Sequence, residues 1–197
     1  MTDPAFNPAG LPDFTAAYPE RVHILPHNLA SHPLLQLPAL VELASRLVPE
    51  HVEHNHGDLP IGILPENVPA PKLSVADTIL SIEQNGSWMA LKFIENVPEY
   101  RQLLSETLAE IEPAVQGKTG AMLKLEGFIF VSAPHAVTPF HFDPEHNILL
   151  QIRGNKVLTM FPADDDRIAE PEVHEAFAFG NHHRTLTWHD EFAALGT

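Results

Sequence analysis

Thr138-Pro-Phe-His141-Phe-Asp143-Pro-Glu-His-Asn147, continued by Ile148-Leu-Leu-Gln151-Ile-Arg-Gly154-Asn155-Lys156-Val-Leu-Thr-Met-Phe-Pro162, is the stretch that decides the fold. Asn147 to Arg153 and Lys156 to Phe161 read as strands, and Gly154-Asn155 between them is a two-residue hairpin signal. His141 and Asp143 stand two positions apart, so on a strand both project from one face and can reach one metal ion. Two imidazoles and one carboxylate on one side of Fe(II) leave its other positions open for a cosubstrate and oxygen. The triplet alone is a weak signal, because His56-Gly57-Asp58 repeats it in a loop with no sheet context. Its surroundings separate the second copy: Thr138 precedes it, Asn147 and Gln151 follow, and the hairpin returns Lys156 alongside the strand from Asn147. A metal, a fixed cation and a hydroxyl together suit a 2-oxo dicarboxylic acid, whose keto-acid end chelates the metal while its far carboxylate meets Lys156 and Thr138.

Outward from this stretch, residues 122–131 and Arg184 to Trp188 are also strand-like. Upstream the pattern is helical. Apolar positions at three- and four-residue steps predict a helix from Leu34 to Val48, ended near Pro49. Ser74 with Asp77 predicts a capped helix running to about Gln84, and Pro98 opens another that Pro113 is expected to close. Residues 1–20, with four prolines, read as an irregular arm, and residues 51–72 as a long His-, Pro- and Gly-rich loop. Trp88 to Ile94 is a short strand or a buried turn. Helices first and an antiparallel sheet second predict an α+β chain, with a mainly helical part over 1–118 and a β-barrel or sandwich over 119–197.

Composition excludes several classes. The 197 residues carry 26 acidic and 11 basic side chains, a formal charge of −15 that repels phosphate backbones and disfavours direct nucleic-acid binding. No cysteine is present, which removes disulfides, thiolate catalysis and Cys-ligated metal centres. No apolar run approaches the roughly 18 residues of a membrane span, and Met1-Thr2-Asp3-Pro4 lacks the regions of a signal peptide. The expectation is a soluble cytoplasmic protein. The His-rich run His51 to Asp58 matches no metal-site spacing, and Asp164-Asp165-Asp166 reads as a solvated loop.

The stretch from Thr138 to Pro162 resembles the JmjC-type, cupin-like hydroxylases that depend on Fe(II) and 2-oxoglutarate. The likeness is greatest to the asparaginyl hydroxylase of hypoxia-inducible factor and to bacterial cupin-like proteins, some labelled transcriptional regulators. The resemblance implies a double-stranded β-helix, or jelly-roll, in which His141 and Asp143 bind iron. It implies that Lys156 and Thr138 hold the distal carboxylate of 2-oxoglutarate, with Asn147 near the cosubstrate. The reaction implied is hydroxylation of a protein side chain or a small molecule. The family's second ligating His, counted from His141, falls past Thr197, so a barrel incomplete at its C-terminus is expected. His174, His182, His183 and His189 are the downstream candidates. A non-catalytic cupin-like module that binds a ligand or a partner is the alternative, and a metal enzyme working without 2-oxoglutarate has no use for Lys156 and Thr138. Family members often pair through C-terminal helices, which leaves a homodimer open.

Overall fold

A computed structural model describes residues 3–56, 72–138, 140–181 and 184–197. The chain divides into two compact units, residues 1–137 and 138–197. Helices and a small antiparallel sheet make it α+β. None of the helices described is long and apolar enough to cross a membrane.

In the first unit the sheet has the order β1 (Val52–His56), β2 (Ser87–Leu91), β3 (Ile129–Ser132), with both pairings antiparallel. Val52 faces Leu91 on one side of the central strand, and Ile129 faces Leu91 on the other. Met89 and Leu91 point the same way and are fully buried. Three helices supply the apolar layer that covers them. Helix α2 (Leu37–Arg46) buries Leu40, Leu43 and Ala44, at the spacing expected of one face. Helix α3 (Val75–Leu80) buries Thr78 and Ile79, and the long α4 (Pro98–Thr119) contributes Tyr100. Ser74 caps α3 as its sequence predicts, its Oγ accepting from the Asp77 amide at 3.1 Å, although the helix stops at Leu80, short of Gln84. His54 is turned to the same layer from β1, and its Nε2 lies 2.9 Å from the hydroxyl of buried Thr78.

Four expectations are corrected here. Val52–His56 is a strand where a loop was predicted, because pairing with β2 supplies the backbone partners that its polar sequence does not advertise. Residues 57–71 of that loop lie outside the described residues. In the stretch expected to be an irregular arm, the described residues 3–20 form an element: α1 (Leu11–Ala17) follows a short 3-10 turn, and Ala5 and Phe6 are buried. Pro113 does not end α4, which continues to Thr119. A proline there forfeits one i→i−4 bond, and the turns around it are held from outside. Glu110 accepts from the amides of Ala5 at 2.6 Å and Phe6 at 2.9 Å. Lys118 donates to the carbonyls of Thr15 and Tyr18, and the hydroxyls of Tyr18 and Thr119 lie 2.9 Å apart. Finally, the strand predicted over 122–131 begins only at Ile129. Gly127 is tied instead to the turn Ile94–Asn96, its carbonyl accepting from the Ile94 amide at 3.0 Å and its amide donating to Glu95 Oε2 at 3.0 Å. A side chain at 127 would come within 2.7 Å of Ile94 Cγ1, so only glycine permits that approach. The sheet of this unit takes β1 and β2 from the stretch expected to be mainly helical.

The second unit holds α5 (Pro171–Ala178) and a 3-10 helix over Asp190–Ala194. Its expected strands form no ladder among the described residues. One bridge pairs His141 with Thr185, the Phe142 amide donating to the Arg184 carbonyl at 3.1 Å and the Leu186 amide to the Phe140 carbonyl at 2.9 Å. Met160 and Thr197 exchange a second pair of backbone bonds, at 3.0 and 2.9 Å. Gly154 has the left-handed geometry of a turn, with φ +71, but residues 147–153 and 156–161 do not pair across it. Alternation supplies only one half of a ladder; the partner is a tertiary matter.

Two outcomes test the first unit. Glu110→Ala leaves the amides of Ala5 and Phe6 without their acceptor and should cost about 2 kcal/mol in a urea unfolding curve. Burial pushes the Tyr100 phenol up to about 12, and in its neutral form the hydroxyl donates to the carbonyls of Leu34 at 2.8 Å and Ala39 at 3.2 Å. The unfolded phenol loses its proton near 10 while the folded one keeps it, so stability is whole below about 10 and falls as pH rises toward 12. Chemical unfolding across that window should show the fall, and Tyr100→Phe should flatten it.

Candidate metal and cosubstrate site

The second unit is built around Phe140 and Phe142, which flank His141. Phe140 meets Phe161 at 5.2 Å, Trp188 at 5.5 Å and Phe192 at 5.9 Å between ring centroids, and Phe192 is buried. Phe142 meets His174 at 4.7 Å and Phe177 of α5 at 5.3 Å. Such aromatic contacts fix the backbone between them, and the bridge to Thr185 fixes it again.

On this support His141 and Asp143 come together, Nε2 lying 3.7 Å from Oδ2, with both side chains about one-third exposed. Asn147 orients the carboxylate, donating to the same Oδ2 at 2.7 Å. Lys156 Nζ donates to Thr138 Oγ1 at 3.3 Å across 18 positions of sequence, so the cation and the hydroxyl also converge. Gln151, by contrast, turns back on the chain, donating to the Arg153 carbonyl at 2.7 Å.

Arg184 is the residue that sequence reasoning missed. Its guanidinium donates to Asp143 Oδ1 at 3.1 Å and to Glu145 Oε1, and lies 5.8 Å from the centre of the Phe177 ring. The sequence marks Arg184 only as the start of a strand-like run. That run's bridge to His141 carries it to Asp143, and no local spacing reveals a contact over 41 positions.

An imidazole nitrogen and a carboxylate oxygen fit two protein positions of an Fe(II) site, and a lysine beside a hydroxyl fits a distal carboxylate. Among the described residues no group of three His, Cys, Asp or Glu is placed to hold a metal. His174 packs on Phe142 and His189 on Phe192. His182 and His183 lie outside the described residues. The other candidates are accounted for elsewhere: His51 packs on Phe93 at 4.7 Å, and Asp165 is clasped by Arg167. That arginine's hydrogen bonds hold the Asp165 carboxyl below the usual carboxylate range.

Residues 74–191, more than half of the chain, match the model of the cupin-like domain. The chain belongs to the cupin-like domain family. No curated protein and no solved structure matches it. The cupin-like match spans α3 through the start of the last 3-10 helix, so it includes Thr138, His141, Asp143, Asn147, Lys156 and Arg184. Phe140→Ala should test the support of this cupin-like site. Removing the ring that meets Phe161, Trp188 and Phe192 should cost about 3 kcal/mol, read as a lower urea midpoint by tryptophan fluorescence.

Proposed function

We propose that the chain is an oxygenase of the Fe(II)- and 2-oxoglutarate-dependent type, hydroxylating a protein side chain or a small molecule. The observation that carries this reading is the convergence of Lys156 on Thr138, in the same unit as the His141–Asp143 pair. A lone strand lysine gains little from facing a hydroxyl in solvent. Beside a dicarboxylate the same two groups offer a point charge and a hydrogen-bond donor. Membership of the cupin-like family supports the reading, which takes the paired segments as parts of a double-stranded β-helix.

In this reading His141 Nε2 and Asp143 would hold the metal, and Asn147 would keep the carboxylate turned toward it. Lys156 and Thr138 would hold the far end of 2-oxoglutarate. When bound, Fe(II) would supply the oxygen chemistry that couples oxidative decarboxylation of the cosubstrate to hydroxylation of a C–H bond. The chain's own residues bind, orient and position. Phe140 and Phe142 keep the ligand-bearing segment from shifting, and a misplacement of about 1 Å in such a site is costly.

A second reading, a non-catalytic cupin-like module for a ligand or partner, is favoured by the arginine on Asp143. One experiment separates the two. Anaerobic titration of the chain with Fe(II) and 2-oxoglutarate should give the visible charge-transfer band of the chelate, and Lys156→Ala should weaken cosubstrate binding about tenfold or more, as loss of a charged hydrogen-bond partner does. A folded chain that gives no band is the binding module.

A further inference from the structure

Both oxygens of the Asp143 carboxylate are engaged, and by different kinds of partner. Asn147 takes Oδ2 with a neutral amide, which can stay in place when the carboxylate binds a cation. Arg184 takes Oδ1 with a full positive charge, which cannot stay beside a divalent metal without repulsion. The arginine also has somewhere else to rest. Its second arm is on Glu145, and its guanidinium carbon lies over the Phe177 ring, 5.8 Å from the centroid. Its backbone is pinned opposite Phe142, so the side chain alone must move.

We propose that Arg184 is an internal cation that competes with the metal for Asp143, with Glu145 and Phe177 receiving it when the metal enters. The proposal rests on the reading of His141 and Asp143 as metal ligands. In the metal-free chain Arg184 neutralises the carboxylate and holds it in shape. Metal entry exchanges one cation for another on Oδ1, and the cost of releasing Arg184 is subtracted from the affinity. The arginine thereby sets the metal concentration at which the site fills.

The test uses Mn(II), a redox-stable divalent probe, titrated into the full 197-residue chain without 2-oxoglutarate and followed by the electron paramagnetic resonance of the free ion. Arg184→Gln should bind about fivefold more tightly than the parent chain, the effect of releasing a partly exposed ion pair. Arg184→Lys, which keeps the charge and loses the fork, should fall between them and serves if the glutamine variant does not fold by circular dichroism. Arg167→Gln makes the same change of net charge on an arginine paired with Asp165, and should leave affinity unchanged. Adding Asp143→Asn to Arg184→Gln should abolish the binding. Equal or weaker binding by both Arg184 variants overturns the proposal while leaving the metal site standing. A gain in Arg167→Gln equal to that in Arg184→Gln overturns it in favour of a general field. Mn(II) taken up by no variant overturns the metal reading and the competition together.

Discussion

Strand β2 is buried along most of its length, and a buried strand is tolerable only when the amides and carbonyls on both of its edges are paired. That requirement organises the first unit. It recruits β1 from a stretch whose side chains argue for a loop, and β3 from beyond the longest helix. It also sets which way Met89 and Leu91 face, and so where α2, α3 and the start of α4 must lie to cover them. His54, an imidazole on the covered side, is accommodated because Thr78 supplies a hydroxyl for it.

The second unit is held on different terms. Side chains rather than a ladder fix its backbone: two groups of rings around Phe140 and Phe142, and the arginine shared by Asp143 and Glu145. Among the described residues, a single bridge and the Met160–Thr197 pair are the backbone links between distant segments of this unit. Arg184 thus supplies this acidic pair with a cation from within the same unit.

Much of this was legible in the sequence where the cause is local. The periodicity of α2, the Ser74 cap and the start of α4 at Pro98 follow from spacing and capping chemistry. The convergence of His141 with Asp143, and of Lys156 with Thr138, follows the motif, although the hairpin that motivated the second pair is not formed. What stayed hidden depends on partners far along the chain. Val-Glu-His-Asn-His has one apolar side chain and becomes β1 through β2. Pro113 reads as a stop, yet Glu110 and Lys118 hold the surrounding turns through Ala5, Phe6, Thr15 and Tyr18. Arg184 meets Asp143 for the same kind of reason.

The edges of the small sheet bear on how copies of the chain behave together. Strand β3 is four residues long with Pro134 just beyond it, and β1 carries Glu53 paired with Lys92 at 2.6 Å. Short, charged or proline-flanked edges are poor templates for a neighbouring strand. The stickier surface is the extended segment holding Ile148, Leu149, Val157 and Leu158, all at least 44% exposed. What keeps such segments of different molecules apart is the formal charge of −15, a repulsion that weakens as ions are added. Colloidal stability is therefore delegated to the acidic surface, and high salt removes that protection without touching the fold of the sheet.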